Sequence, residues 1–386
     1  MSLKEQVLQG VDEKKDRILE VYHFLYEHPE ISLQEFESSK KLAQVLREEG
    51  FEVEEHLEGM ETAFRAVKKN GEGPKIALIA EYDALPGNGH ACGHHMIASM
   101  SVGAALGLSK ALESLNGEVA VIGTPGEETG HGKPYLVEHG VFDHYDMAMM
   151  IHPNSETNVF IEMIAIGGID FTFIGKPAHA GAEPYKGVNA LDAVVLFYNN
   201  LSVLRQQLRD GTRIHGIILE AGSAANIIPD RGKIRLEFRA KEQDYFDEVV
   251  AKAINCAKAA ALATGCELEY EHFEPTCMGL KHNKVLANRF IQHMEEMGVY
   301  EPEEKSDMNS GSTDLGNVSQ RIPTIHPMLK VSEGKESIHS QEFKEATLLP
   351  YAQDAMIKGA KMLALTGLDV LENPELLKEA WAELKG

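Results

Sequence analysis

Cysteine is scarce in this chain: four residues in 386, Cys92, Cys256, Cys266 and Cys277, each standing alone. That excludes a disulfide framework. The lack of paired CxxC elements also argues against a closed structural zinc site. Long apolar runs are missing too, and no stretch approaches the roughly 18 residues of a membrane span. The start, MSLKEQVLQGVDEKKDRILEVYHFL, has no basic n-region leading into an apolar h-region, so no secretory signal is expected. Positive charge is in deficit, with 37 Lys and Arg against 60 Asp and Glu and a net charge of −23. Such a surface repels phosphate, which excludes nucleic acid and anionic membranes as expected partners. Repeats and low-complexity segments are absent. A cytoplasmic protein with reduced thiols is the expectation, and the net charge says little about a small-molecule substrate, whose pocket can have its own local field.

What is present reads as two domains, since 386 residues exceed one small core. The first ~55 residues predict two helices, one over DEKKDRILEVYHFLYEH and one over LQEFESSKKLAQVLREEG. Strand-like runs follow in TAFRAVK, KIALIA, EVAVIG and DMAMMIHP. They alternate with the helices MIASMSVGAALGLSKAL and YLVEHG. This predicts an α/β fold with a mixed sheet covered by helices on both faces. From Gly167 the order becomes βαββαβ, which predicts an inserted α+β, ferredoxin-like domain over 167–278. The first domain then comprises 1–166 and 279–386.

Polar clusters follow the carboxyl ends of KIALIA, EVAVIG and DMAMMI, where ligands bind in open α/β sheets. In GHACGHH, Cys92 and His94 flank a glycine whose turn can aim a sulfur and an imidazole at one point. Read alone, the run is equally a thiol nucleophile or a histidine-rich loop. Glu127 and Glu128 in TPGEET are either a solvated helix start or a base beside a metal ligand. His152 in MMIHP ends a buried apolar strand and reads as a rim residue or a ligand, and His339 in SIHSQEF, in the carboxy-terminal return, is a weaker signal still when read alone. Asp83 in EYDALP is either a turn residue or a hydrogen-bond acceptor for a ligating histidine. Taken together, Cys92, His94, Glu128, His152 and His339 supply five donors. That is enough for two ions sharing a ligand, with Glu127 left over as a base.

The ordered motifs EYDALPGNGHACGHH, GTPGEE, MMIHP, GKPAHA, NALDAVVLFYNNLSVLRQQL, NIIPD and GSTDLGNVSQRIPTIHP resemble the amidohydrolase branch of the clan MH co-catalytic metallopeptidases. That branch holds hippurate, auxin-conjugate and aminobenzoyl-glutamate hydrolases. The chain is most similar to its aminobenzoyl-glutamate and β-alanyl-dipeptide hydrolysing members, from YEHPEIS to IHSQEF. The resemblance implies a zinc-exopeptidase-like catalytic domain with an inserted lid and dimerisation domain. It makes Cys92 a bridging thiolate, with His94 and His152 completing one metal site and Glu128 and His339 the other. It makes Glu127 the catalytic base and Asp83 the carboxylate behind a ligand. It also implies that His179 closes over the scissile carbonyl, in some relatives from a neighbouring subunit. Asn226, Arg239 and the turn Gly311, Ser312, Thr313 and Asp314 resemble substrate-positioning elements. Two positions depart from the branch: His95 stands where Asn or Asp is usual, and Gly126 where Ala is common.

The activity implied is amide hydrolysis in N-acyl amino acids or dipeptides, of amidohydrolase, aminoacylase or dipeptidase type. It uses two divalent ions per subunit, zinc or manganese with cobalt as an option, in a homodimer or higher homo-oligomer formed through the lid. The rival readings are carboxypeptidase-like cleavage of longer peptides, a metal-free Cys–His amidase built on Cys92, and a non-catalytic metal-binding module.

Overall fold

The runs KIALIA and EVAVIG become neighbouring parallel strands in which nearly every side chain is buried. Alternate side chains point to opposite faces of a sheet, so both faces here are covered. The computed structural model describes residues 1–129, 132–300 and 311–386. Before the insertion, the strands are β1 (Glu52–Glu55), β2 (Phe64–Asn70), β3 (Lys75–Ala80), β4 (Gly117–Gly123), β5 (Met147–Met149) and β6 (His152–Asn154). The insertion holds β7 (Ala165–Ile174), β8 (Arg213–Glu220), β9 (Arg231–Ala240) and β10 (Glu267–His272). The carboxy-terminal return adds β11 (Thr324–Ile325) and β12 (Met328–Lys330).

The chain forms two compact units. The first takes Met1–Ile161, Lys281–Asn309 and Asn317–Gly386, the second Glu162–Leu280 and Ser310–Gly316. The first unit carries a mixed six-stranded sheet in the order β1-β2-β4-β3-β5-β11, plus the parallel pair β12-β6. In the large sheet β1, β2 and β4 pair antiparallel, whereas β4, β3, β5 and β11 run parallel. The helix His94–Ala111 packs on β3 and β4 and beneath the helices Leu3–Glu13, Lys15–Glu27 and Pro350–Glu372. It is buried nearly all round, which its small residues permit.

The second unit is βαββαβ. Its antiparallel sheet runs β10-β7-β9-β8, and the helices Ala190–Leu204 and Gln243–Thr264 pack on each other and on β9. Burial alternates along β9, as expected for a sheet with one covered face.

Three details differ from the sequence reading. The amino-terminal region has three helices rather than two. Leu3–Glu13 is an element of its own, started by a capping box between Ser2 and Glu5. His152 does not end a strand but begins β6, because the chain breaks from β5 and pairs with β12 instead. The Gly311–Asp314 turn groups with the second unit rather than with the return. Met163 bridges to Gly311, and the Ile164 N–H donates to the Gly311 carbonyl at 2.9 Å.

Candidate metal centre

The candidate donors of the first unit sit at strand ends, at turns or at the start of a helix. Asp83 follows β3, and Glu127 and Glu128 follow β4. Gly93 caps the helix His94–Ala111 with φ +88°, and a Cβ there would lie 2.4 Å from Pro153 Cγ. Glycine is therefore required between Cys92 and His94, both for the backbone turn and for the approach of the chain carrying His152. His339 also has positive φ (71°), a strained state for a non-glycine residue. Its N–H donates to the Ala91 carbonyl at 2.8 Å, and its own carbonyl accepts from Asn88 Nδ2 at 2.6 Å. Those two bonds hold the return against the GHACGHH turn.

The side chains converge. One donor atom each from Cys92, His94 and His152 lies within 4.8 Å of the others, and the same holds for Cys92, Glu128 and His339, and for His94, Glu127 and Glu128. Cys92 Sγ is 3.5 Å from His152 Nε2 and 3.2 Å from His339 Nε2. His94 Nδ1 is 2.9 Å from Asp83 Oδ1, and His152 Nδ1 is 2.8 Å from the Pro153 carbonyl. Each contact fixes the ring with Nε2 facing the cluster. Two atoms there, His94 Nε2 and Glu128 Oε1, are buried without a hydrogen-bond partner and lie 3.7 Å apart. Buried polar atoms without partners are rare in proteins. A thiolate, imidazoles and a carboxylate facing one point are the donor chemistry of a divalent cation, so this set fits the metal pair that the motifs imply.

Burial pushes the Cys92 thiol up and the His152 imidazole down to about 4. Without a cation, therefore, both favour their neutral forms, and a cation would reverse the preference at sulfur. Burial alone would raise Asp83. The adjacent His94, the Glu128 N–H and the Ser32 hydroxyl instead hold its carboxyl well below the usual range. His95 stands outside the three donor groups. Its ring packs 5.0 Å from Tyr22, 5.3 Å from Tyr26 and 5.2 Å from His90, and burial drives it well below an ordinary imidazole.

Sequence reasoning missed two features beside this cluster. Glu81 and Lys133 form an ion pair at 2.6 Å with both side chains essentially buried, and Glu81 Oε2 is 3.7 Å from His94 Nε2. Ser32 and Glu35, from the connection between two amino-terminal helices, bond to the Glu127–Glu128 loop and its neighbours. The only local signal was the spacing of Glu81 and Asp83, which puts both acids on one face of an extended segment.

The remaining candidates lie in the second unit. His179 is exposed, and its Nδ1 accepts the N–H groups of Gly181 and Ala182 at 3.2 Å each. Asn226 lies beside it, its carbonyl accepting from Ala180 N–H at 3.0 Å, while His179 bridges to Ile227. Arg239 is half-buried and holds Glu237 Oε1 through Nε and Nη2 at 3.1 and 3.0 Å. Gly311, Ser312 and Thr313 follow as a turn joined to Met163 and Ile164.

The sequence profile of peptidase family M20/M25/M40 matches residues 77–366. The chain is 38% identical over 400 aligned residues to the Xaa-Arg dipeptidase of Mus musculus, covering 99% of this chain and 92% of that one. It is 30% identical to a polypeptide of the p-aminobenzoyl-glutamate hydrolase of Escherichia coli K12, covering 76% of this chain and 65% of that one. Among solved structures it resembles a dinuclear metal-binding M20 peptidase of Bacillus subtilis. There the TM-score is 0.72 at 22% identity, over 94% of this chain and 99% of that one.

Proposed function

Because the chain belongs to peptidase family M20/M25/M40, we propose that the converged donors form a two-ion hydrolytic centre with Glu127 as its base. The protein is a metallo-amidohydrolase that cleaves the amide bond of a dipeptide or an N-acyl amino acid. The observation carrying this reading is the meeting of Cys92, His94, His152, Glu128 and His339 around unpartnered buried donor atoms.

In the proposed assignment Cys92 is shared, His94 and His152 hold one ion, and Glu128 and His339 hold the other. Asp83 orients His94. When bound, the ions acidify a water and polarise the scissile carbonyl. Glu127 takes the proton of that water and delivers it to the departing amine. His179 donates to the oxygen that gains charge, and removing one such donor typically costs about 100- to 1,000-fold in rate. Arg239, with Asn226 or the Gly311–Thr313 turn, holds the substrate carboxylate. Binding there exchanges Glu237 for the substrate as the partner of Arg239. The soft thiolate favours zinc, and the oxygen and imidazole donors also accept manganese or cobalt.

The relation to a Xaa-Arg dipeptidase over the whole chain supports dipeptides with a basic carboxy-terminal residue as the preferred substrates. We propose the second unit as lid and dimerisation element. Strand β8 is a sheet edge exposing Ile217, Ile218 and Leu219, and the adjacent helix exposes Val195, Tyr198 and Val203. A paired edge would cover these side chains. A cytoplasmic location is supported by the scarcity and wide scatter of cysteine along the chain. No helix among the described residues is long and apolar enough to cross a membrane.

The test is a metal-reconstituted screen of Xaa-Arg and Xaa-Lys dipeptides, aminobenzoyl-glutamate and N-acetyl amino acids, run on wild type and Glu127→Gln. The expected result is hydrolysis strongest on the basic dipeptides. Glu127→Gln should lose about 100- to 10,000-fold in kcat with unchanged metal content. Full activity in that variant would remove Glu127 as the base.

A further inference from the structure

The loop that carries Glu127 and Glu128 belongs to no helix or strand; it leaves β4 and turns through Gly126 at φ +74°. Its position is set by hydrogen bonds from three of its N–H groups to three buried or half-buried side chains. Gly126 N–H donates to Glu35 Oε1 at 2.8 Å, Glu128 N–H to Asp83 Oδ2 at 2.9 Å, and Thr129 N–H to Ser32 Oγ at 3.1 Å. The Ser32 hydroxyl in turn donates to Asp83 Oδ2 at 2.7 Å.

Glu35 is the anchor nearest the proposed base. Its side chain is fully buried. Besides Gly126, Oε1 accepts the Leu33 N–H at 2.8 Å, and Oε2 accepts the Thr62 hydroxyl at 3.0 Å. Leu33 reaches it with a backbone at φ 62°, uncommon for a branched side chain, while that side chain stays 42% exposed. One carboxylate thus ties its own turn, Thr62 and the N–H of Gly126, the residue before Glu127. A carboxylate that merely filled space in a core would be replaced by an apolar group at lower cost.

We infer that Glu35 is a positioning residue for catalysis, fixing where the Glu127 carboxylate stands by holding the N–H of Gly126. The inference rests on Glu127 being the base. Glu35 touches no proposed ligand, so its removal should misplace the base while the metal donors stay. Displacement of a reacting group by about 1 Å can cost on the order of 100-fold. Glutamine keeps an acceptor for Leu33 and Gly126 and can donate to Thr62. Aspartate keeps the charge but withdraws the acceptor by one methylene.

The experiment measures kcat, KM and bound metal for Glu35→Gln, Glu35→Asp and Glu35→Ala, each alone and combined with Glu127→Gln. Glu35→Asp and Glu35→Ala should lower kcat by about 10- to 100-fold with KM and metal content unchanged. Glu35→Gln should remain within a few-fold of wild type. In the Glu127→Gln background, removing Glu35 should produce no further loss, because a misplaced base that is already absent costs nothing more. If Glu35→Ala does not fold, the contrast between aspartate and glutamine decides the matter. The inference is overturned if the losses multiply in the double variants, if Glu35→Asp equals wild type, or if metal is lost. Failure of the base assignment reads differently: Glu127→Gln alone would then keep its kcat.

Discussion

Lys133→Met removes the cation from a pair whose side chains are both within 1% of complete burial. At 2.6 Å, the gross attraction between unit charges is about 6 kcal/mol in a medium of effective dielectric near 20. Withdrawing two charges from water costs several kcal/mol each, so the pair as a whole adds little net stability. Breaking it is another matter. Methionine fills most of the lysine volume but leaves Glu81 a buried carboxylate without its cationic partner at 2.6 Å, at a cost of about 3–5 kcal/mol. Adding Glu81→Gln removes that charge, so the double variant should recover to within about 2 kcal/mol of wild type. The chain's single tryptophan, Trp381, packs against the core of the first unit. Its fluorescence in a urea titration therefore follows the unit that contains the pair. The expected pattern is a low midpoint for Lys133→Met and a rescued midpoint for the double variant. A single variant within 1 kcal/mol of wild type would refute the reasoning, since the buried pair would then not depend on its lysine.

Gly93→Ala should lose bound metal, measured by elemental analysis, with a destabilisation of about 2–4 kcal/mol. It combines a positive-φ penalty with overlap on the ring of Pro153. Glu35 supplies a pH signature. Burial first, then the charge of Asp83, raises its carboxyl from 4.5 to about 7. Between those values the folded state keeps a proton that the unfolded chain has released. Its contribution is thus full below pH 4.5 and lost as pH rises through 7, by about 3 kcal/mol in all. The stability difference between wild type and Glu35→Gln, from Trp381 urea titrations across that window, should fall with rising pH; a flat difference would show that Glu35 does not titrate there.

The catalytic sheet and the donors were readable because parallel strands advertise themselves as continuous apolar runs, and their carboxyl ends collect ligands. Asp83, Glu127 and Glu128 each follow such a run, and the structure carries their loops to one point. His152 was readable as a residue type but not in its setting. Its strand pairs with β12, far along the chain, and local pattern holds no record of that pairing. Glu81 and Lys133 meet only after folding, and LysPro at a glycine-rich turn reads as a solvated loop rather than as a buried cation. Ser32 and Glu35 were hidden for a similar reason. Polar residues in a helix connection suggest exposure, and only the fold turns them inward to hold the loop of Glu127 and Glu128. His339 needed a backbone state that its sequence neighbours do not signal.

The order in which the donors occur along the chain has a consequence for biosynthesis. A ribosome delivers Cys92, His94 and His152 before any of the second unit exists, and His339 only after all of it. Domains fold as units during synthesis, the amino-terminal parts first. At that moment two of the three donor groups are complete in sequence, while the group that needs His339, the β12 partner of the strand that begins at His152, and the sheet edge that needs β11 are still unmade. On the proposed assignment, an ion offered at that moment would meet a half-built pair of sites, and the site that uses His339 would be completed only when the return arrives.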